Sequence, residues 1–273
     1  MMAIERGEIR ASALAGRWYP GDAATLTREV EGYLASARKV GSAGLASVSF
    51  IVSPHAGLMY SGGTAGHAWA AAPRDATRIV IVGPAHRVAF RGVALGDFSA
   101  FRIPTGEVAV DRAALAALEA QYPQLASFVP GAHDAEHCIE IQLPFAQAVL
   151  PGIPIMPLLA GGIATPELAT LLDAVLRAGD LLVVSTDLSH FHPQEDARSR
   201  DLATLRVIAE LAPFELGGED ACGFRGVAAS ALIARRRGYG AQVLDYTSSG
   251  DSGGDRAAVV GYGAVAMGPM RTP

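Results

Sequence analysis

Short, unbroken apolar runs alternate with amphipathic segments of helix length along most of this chain. Four such runs are each followed by a turn rich in Gly, Pro or polar residues: 48–52, 78–83, 153–159 and 181–185. Runs of this kind are typical of strands covered on both faces. Helices are predicted between and after them, at 23–38, 63–72, 111–121, within 136–149, and at 165–177, 195–211 and 222–237. Strands that alternate with helices predict an α/β fold.

The end of the chain has a different pattern. Two strand-like segments, 241–247 and 257–266, flank a glycine-rich loop at 248–255, as in a hairpin. Such a pair makes a mixed sheet rather than a purely parallel one. The chain contains no linker, repeat or low-complexity segment. The sequence therefore predicts a single domain over 1–273, a three-layer α/β/α sandwich with a central mixed sheet.

Charge and cysteine content argue against several classes of protein. The chain has 22 Lys and Arg against 27 Asp and Glu. Its net charge of −5 therefore argues against a protein that binds nucleic acid through an excess of basic residues. Its two cysteines cannot make a disulfide framework, and we expect a cytoplasmic protein. No apolar stretch is long enough to span a membrane, and no secretory signal is recognisable. A Walker A motif and a G-x-G-x-x-G turn that opens a helix are also missing, which argues against nucleotide binding.

Side chains that can bind metals follow three of the predicted strands. His55 follows the run at 48–52, His86 follows 78–83, and Asp187 and His190 follow 181–185. In open α/β sheets, ligands bind beyond the carboxyl ends of the strands. A lone histidine in such a place is more often structural than functional, but three strands that end in this way favour a shared site.

Cys222 is a further candidate because it lies at the predicted N-terminus of the helix over 222–237. Backbone N–H groups at a helix N-terminus stabilise a thiolate. Glu219 and Asp220, just before it, oppose that effect unless a cation balances them. The alternative is a buried, inert side chain, and the same alternative applies more strongly to Cys138.

Residues 250–254, Gly-Asp-Ser-Gly-Gly, copy the nucleophile string of chymotrypsin-type serine proteases. That family has an all-β, disulfide-bonded fold, which does not fit a chain that alternates strands with helices. We therefore interpret the string, with Ser252 at its centre, as a glycine-rich turn.

A second string, from His133 to His137, matches the H-x-x-E-H motif of zinc peptidases. On a helix, His133 and His137 would share a face and reach one zinc ion, with Glu136 beside them. Pro130 and Pro144 leave little room for a long helix here. A zinc peptidase that uses these three residues is therefore kept only as an alternative.

Eight motifs, in this order, resemble those of the Memo family, whose bacterial members are often called AmmeMemoRadiSam system protein B. They lie at 10–20, 54–62, 83–86, 136–145, 185–191, 221–223, 246–251 and 259–262, and the resemblance covers about residues 10–267. It implies an α/β fold like that of class III, LigB-type extradiol dioxygenases. Those enzymes open catechol rings with non-haem iron held by two His and a Glu, which leaves positions open for substrate and O₂.

The resemblance also implies which residues bind the metal. In Memo-like proteins a Cys replaces the carboxylate ligand. Carried over by motif, the ligands are His55 from Pro-His-Ala-Gly, His86 from Gly-Pro-Ala-His, and Cys222 from Ala-Cys-Gly. The implied cofactor is iron, although two His and one Cys also suit copper or zinc.

Four more residues receive roles from the same resemblance. His190 falls where the dioxygenases keep an acid–base histidine, and Asp187 is expected beside it. His137 and Glu140, three positions apart, are expected to support the ligands or to contact the substrate.

Together these observations predict a metal-binding protein with a mononuclear site of two His and one Cys. If it is catalytic, we expect an iron-dependent oxygenase that acts on a small aromatic or redox-active molecule. The alternative is a non-enzymatic protein that handles metal or redox equivalents. The family name suggests AMMECR-type and radical-SAM proteins as its partners.

Overall fold

The structure, a computed structural model, describes residues 6–37 and 44–271. The helices are α1 (Ala23–Ser36), α2 (Leu58–Ala70), α3 (Arg112–Gln121), α4 (Leu143–Val149), α5 (Thr165–Val175), α6 (Gln194–Ala209) and α7 (Phe224–Arg236). The strands are β1 (Ile9–Ala11), β2 (Phe50–Ser53), β3 (Arg78–Pro84), β4 (Val93–Leu95), β5 (Ala100–Ile103), β6 (Gly106–Ala109), β7 (Ala126–Ser127), β8 (Ile155–Ala160), β9 (Asp180–Ser185), β10 (His190–His192), β11 (Tyr239–Ser248) and β12 (Val259–Pro269).

The main sheet is mixed, as predicted. Its centre consists of β2, β9, β3 and β8, which lie side by side and parallel. Antiparallel neighbours extend it on both sides, β12 beside β2 and β4 beside β8. The predicted hairpin at the end of the chain is the antiparallel pair of β11 and β12. A small separate sheet contains β1, β5 and β6, which the sequence pattern did not reveal because these strands are only three or four residues long.

Helices cover both faces of the main sheet, which confirms the predicted α/β sandwich. One set consists of α1, α2 and α4, and the other of α3, α5, α6 and α7. The central strands are buried except for the partly exposed Pro84 at the end of β3, so a single apolar core connects them to both sets of helices. None of the helices within 6–37 and 44–271 is long and apolar enough to cross a membrane.

The small residues of α2 allow it to pack closely against α1. A Cβ atom added to Gly62 would lie 2.5 Å from the Tyr33 ring, and one added to Gly66 would lie 2.8 Å from the Tyr33 carbonyl oxygen. This helix begins at Leu58, five residues before the predicted start, directly after the turn that contains His55. The fold thus fixes that turn between a central strand and a tightly packed helix.

Candidate metal centre

Three of the predicted site residues lie two positions beyond the ends of central strands. His55 follows β2, His86 follows β3, and Asp187 follows β9. These strands are neighbours and run in the same direction, so their carboxyl ends meet at one edge of the sheet. The ring centroids of His55 and His86 are 5.2 Å apart. Parallel pairing therefore brings together side chains that are far apart in the sequence.

The tautomer of His55 follows from its hydrogen bonds. Ser185 Oγ donates its single proton to the Cys138 carbonyl oxygen at 2.6 Å and accepts from Gln142 Nε2 at 3.1 Å. It can therefore pair with His55 Nδ1, 3.0 Å away, only as an acceptor. Nδ1 of His55 carries the proton, and Nε2 presents its lone pair to Cys222 Sγ at 3.3 Å. Burial is the main reason that the pKa of His55 is lowered well below its ordinary value.

Glu136 fixes the tautomer of His86, which carries its proton on Nδ1 as His55 does. Its Oε2 accepts the backbone N–H of His86 at 2.6 Å, and its Oε1 lies 2.9 Å from His86 Nδ1. Burial raises the pKa of this carboxyl group, but the adjacent His137 and His86 rings outweigh burial and hold it far below its usual range. A carboxylate can only accept hydrogen bonds, so Nδ1 of His86 is the donor and Nε2 is free to bind a metal.

Cys222 lies in the turn before α7 and not in the helix itself. Its Sγ accepts the backbone N–H of Asp187 at 3.3 Å. A Cβ on Gly223 would lie 2.7 Å from Thr186 Cβ, so glycine is required for the turn to approach β9 this closely. Burial first, and then the charge of Asp187, raise the pKa of Cys222 to about 12. The expected stabilisation of a thiolate by the helix is thus outweighed in the protein alone.

The geometry of these three donors fits a single metal ion. One ligand atom from each of His55, His86 and Cys222 lies within 4.8 Å of the others. Bonds of roughly 2.0 Å to nitrogen and 2.3 Å to sulfur, at angles of about 90–110°, place the nitrogen and sulfur atoms roughly 3.0–3.5 Å apart. The 3.3 Å between His55 Nε2 and Cys222 Sγ lies in this range.

A second cluster of metal-binding side chains lies beside the first and contains His86, Glu136 and Cys138. Its donors are already engaged: Glu136 holds His86, and the Cys138 thiol donates to the Pro84 carbonyl oxygen at 3.2 Å. Burial raises the pKa of Cys138 well above its ordinary value. This group therefore supports His86 and does not form a separate metal site.

Asp187 and His190 lie next to the three donors. Asp187 Oδ1 accepts the backbone N–H of His55 at 2.7 Å, which ties the turn after β2 to the turn after β9. Burial raises the pKa of this carboxyl group.

His190 begins β10, and the register of that strand shifts between His190 and His192, with Phe191 in a left-handed conformation at φ 62°. This bulge leaves the Phe191 side chain 75% exposed, while His190 lines the pocket.

His55 and His86 line a pocket of about 510 Å³, a volume within the usual range for small-molecule sites, whereas Cys222 does not line it. Its lining includes the buried His55 and Asp187, the exposed His86, and the aromatic side chains of Trp18 and Tyr262. The site is therefore accessible to a small molecule.

Comparison with known proteins identifies the family. A family model described as Memo-like protein matches residues 10–266. The chain belongs to the Memo family. Relatives described as MEMO1 family proteins include one from Aeropyrum pernix, 32% identical over 280 residues, with 94% of this chain and 99% of that protein covered. Another, from Archaeoglobus fulgidus, is 31% identical over 271 residues, with 94% and 98% covered. Among solved structures, an uncharacterized Escherichia coli K12 protein matches 81% of this chain and 100% of its own, with 15% identity and a TM-score of 0.48.

His137 belongs to the site of this Memo-family chain. Its ring stacks on that of His86 at a centroid distance of 4.5 Å and lies 4.7 Å from the Trp18 ring. Its Nδ1 is buried, 3.1 Å from Glu136 Oε1, without a well-aligned hydrogen bond. His137 thus contacts both a candidate ligand and another residue that lines the pocket.

Glu140 does not line the pocket, and its contacts lie with the N-terminal segment. Its fully buried carboxylate pairs with Arg10 at 2.5 Å and accepts hydrogen bonds from Ser12 Oγ and Tyr19 Oη, both at 2.6 Å. Arg10 also donates to the carbonyl oxygen of Glu136 at 2.8 Å. Glu140 therefore anchors the N-terminal segment and acts on the site only through these neighbours.

The zinc-peptidase alternative does not agree with the structure. Residues 133–137 form the end of a turn followed by irregular backbone rather than a helix, so His133 and His137 do not share a helical face. Nε2 of His133 is 3.1 Å from the carbonyl oxygen of Ala94, and its ring packs against Phe98. Burial lowers the pKa of His133 to about 4. His133 is a structural residue outside the pocket.

Sequence reasoning assigned no role to several residues of the site. Trp18 and Tyr262 lie within family motifs without a role of their own, and Glu136 had a role only in the peptidase alternative. The carboxylate of Glu136 reaches His86 from 50 positions away in the chain. No periodicity in the sequence could have signalled this contact, because residues 134–139 form no regular helix or strand.

Proposed function

We propose that this chain binds one ferrous ion through His55, His86 and Cys222 and oxidises a small aromatic diol with dioxygen. The observation that carries the proposal is the direction of the donors. His55 and His86 each have Nδ1 engaged by a partner, so their Nε2 lone pairs are free beside the Cys222 thiol. Three protein ligands leave coordination positions open, which a catalytic site requires and a closed structural site lacks.

When bound, the ferrous ion would supply the reactivity toward dioxygen that amino-acid side chains lack. The protein's own residues would bind and position the diol. Trp18 and Tyr262 line the pocket and provide flat apolar surfaces for an aromatic ring.

Proton transfer is assigned to His190. It lines the same pocket as His55 and His86 but is not one of the three converging donors. From this position we infer that it accepts a proton from a hydroxyl group of the diol and returns it later. Asp187 holds the His55 turn in place and contributes negative charge beneath the site.

The thiol of Cys222 supports a second candidate function. A thiolate with two imidazoles also suits copper or zinc. In this candidate the protein would handle metal or redox equivalents without catalysis, as a partner of AMMECR-type and radical-SAM proteins.

Two measurements on one preparation separate these functions. The protein is purified without added metal, its metals are determined by elemental analysis, and oxygen uptake with catechol is recorded. Iron near one equivalent together with catechol-dependent uptake is the expected result. The double variant His55→Ala/His86→Ala serves as the control without the site. Copper or zinc without oxygen uptake, in protein that also fails after reconstitution with Fe²⁺, would favour the second candidate.

A further inference from the structure

His190 lies in a strained stretch of backbone. The strand bulges between His190 and His192, and Phe191 has a φ of 62°, a value that a residue with a Cβ rarely adopts. Strain of this kind persists only where neighbouring groups hold it in place, and it is common at functional sites. The groups that hold this bulge are therefore candidates for a role in the site.

A buried carboxylate from α6 holds the residue just before the bulge. The carbonyl oxygen of Ser189 accepts the backbone N–H of Gly261 at 3.0 Å, which is a contact to the neighbouring strand β12. The backbone N–H of Ser189 donates instead to Oδ1 of Asp201 at 2.9 Å. A side-chain acceptor thus anchors the chain one residue before His190.

Asp201 is itself held in one position. Its side chain is fully buried, and its Oδ2 accepts the hydroxyl group of Tyr246 at 2.9 Å. Burial and the charge of Asp201 raise the pKa of Tyr246, so this hydroxyl group keeps its proton and is the donor. A Cβ on Gly261 would overlap the carboxylate, so glycine is required where β12 passes Asp201.

The charge of Asp201 has no permanent counter-ion. Among the residues that the structure describes, no basic side chain forms an ion pair with it. Arg198 lies over the ring of Tyr246, at 5.7 Å from its centroid, rather than against the carboxylate. Because a buried charge is costly unless it is paired, Asp201 favours a positive charge nearby.

His190 can supply that positive charge. Burial raises the pKa of Asp201, whereas the hydrogen bonds from Ser189 and Tyr246 and the charge of protonated His190 lower it. Such coupling acts equally in both directions, so Asp201 in turn favours the protonated form of His190.

Other groups around His190 carry charge, but they belong to the pocket itself. Besides two tyrosines, the titratable or charged residues that share the pocket lining with His190 are Arg17, His55, His86, His137, Asp187 and Asp255. Strand β12 places only valines opposite β10. Asp187 attracts the proton of His190 as Asp201 does, but it also holds the His55 turn. Asp201 does not line the pocket, so its action on His190 can be tested without disturbing the candidate ligands.

We propose that Asp201 is a positioning residue for His190, which it fixes through the peptide of Ser189 and favours as a proton carrier through its negative charge. His190 then exchanges that proton with a molecule in the pocket. This last step rests on the proposed function. The action of Asp201 on His190 does not, and it can be measured without metal or dioxygen.

The first experiment measures the pKa of His190 by NMR in metal-free protein with labelled histidine rings, where its signal is identified by its absence in His190→Ala. In Asp201→Asn the new amide can still accept from Ser189 and donate to Tyr246 Oη, so mainly the charge is lost. We expect the pKa of His190 to fall by about 0.5–1, less than the loss of a direct ion pair would produce. Asp173→Asn, which removes a carboxylate paired with Arg237 on the surface, should leave it unchanged.

The reciprocal experiment needs no change at Asp201, so it decides the question even if Asp201→Asn does not fold. His190→Ala should raise the pKa of Asp201 by a similar amount, because the coupling is mutual. The carboxyl-carbon signal of Asp201 provides the measurement. His67→Ala is the control, since His67 lies in α2 near Asp245.

Tyr246→Phe separates charge from packing. It removes one hydrogen bond to Asp201 but keeps the negative charge, so the pKa of His190 should stay near its wild-type value. If the wild type takes up oxygen with catechol, Asp201→Asn should lower kcat more than it changes KM. The acidic limb of the kcat profile should also move to lower pH by the amount found for His190.

An unchanged pKa of His190 in folded Asp201→Asn would overturn the inference, and so would an unchanged pKa of Asp201 in His190→Ala. Equal shifts in Asp201→Asn and Tyr246→Phe would reduce the effect to packing and overturn it as well. If both pKa values shift but the wild type takes up no oxygen with catechol, the inference stands and the proposed function fails. Catechol-dependent uptake without either pKa shift would leave only the proposed function.

Discussion

Glu136 holds His86 at two points, with one carboxylate oxygen on its backbone N–H and the other 2.9 Å from its Nδ1. The backbone bond fixes the turn after β3, and the side-chain contact fixes the rotation and tautomer of the ring. A single buried carboxylate therefore determines where the Nε2 lone pair of His86 points.

Glu136→Gln should weaken metal binding about 10- to 100-fold, the usual effect of losing a group that orients a ligand. The amide keeps the shape of the side chain but cannot accept at both of its ends. The measurement is the dissociation constant for Fe²⁺ by competition with a chelator under nitrogen. Glu119→Gln, which alters a carboxylate paired with the half-exposed Arg6, is the control. Unchanged Fe²⁺ affinity in Glu136→Gln would show that this carboxylate does not orient His86 for metal binding.

Removal of a direct ligand should have a larger effect. His55→Ala, His86→Ala and Cys222→Ser should each lower the bound metal sharply, because the three donors converge only in the folded protein. Elemental analysis of each purified variant provides the measurement. His67→Ala is the matched control, since His67 lies in α2 and 4.0 Å from Asp245 rather than at the site. One full equivalent of metal in the His55→Ala/His86→Ala double variant would refute the site.

His190→Ala should separate binding from catalysis. We expect most of the metal to remain bound, while turnover falls by about 10²–10⁴-fold, the usual contribution of an acid–base residue. Metal content and oxygen uptake are measured on the same sample. His192→Ala, two positions along the same strand, should leave both unchanged. Loss of metal as large as in His55→Ala would make His190 a ligand instead.

The Arg10–Glu140 pair should make stability depend on pH. Burial alone raises the pKa of Glu140, but Arg10, Ser12 and Tyr19 together lower it below its ordinary value of 4.5. A carboxyl group whose pKa is lower in the folded protein stabilises the fold above about pH 4.5. That contribution is lost as the pH falls through the folded pKa.

Glu140→Gln should therefore lower the free energy of unfolding near pH 7 by about 3–5 kcal/mol, since it leaves the buried Arg10 charge unpaired. Urea denaturation between pH 7 and pH 3 is the measurement, and the difference from wild type should shrink at the acidic end. Glu107→Gln removes an exposed partner of Arg102 and should cost below about 1 kcal/mol. Equal effects of the two substitutions would contradict this interpretation.

Ser252→Ala should change neither metal content nor turnover. The hydroxyl group of Ser252 is exposed and donates to the Tyr60 carbonyl oxygen at 3.1 Å. Ser252 is the last residue of a 3₁₀ helix over Ser249–Ser252, which is followed by Gly253 with φ 88°. Incubation with a fluorophosphonate probe, followed by mass spectrometry, should leave Ser252 unlabelled. A covalent adduct on Ser252 would restore the protease interpretation.

The sequence by itself determined the main sheet and the residues of the site that follow its central strands. Buried apolar runs such as the one at 181–185 can only be central strands, and parallel strands place the residues that follow them at one edge. This periodicity predicted that His55, His86 and Asp187 would lie together. The predicted helix N-terminus made Cys222 a candidate, but only the family motifs assigned it as a ligand, because a turn before a helix has no pattern that points to β9.

Only the tertiary structure decided how these groups are held and what surrounds them. Glu136 and Glu140 are four positions apart, yet one carboxylate orients His86 and the other is buried against Arg10. The same applies to His133 and His137, of which only the second faces the pocket. Side chains in irregular segments take their direction from contacts with distant parts of the chain. Local sequence therefore does not encode that direction, and packing determines it.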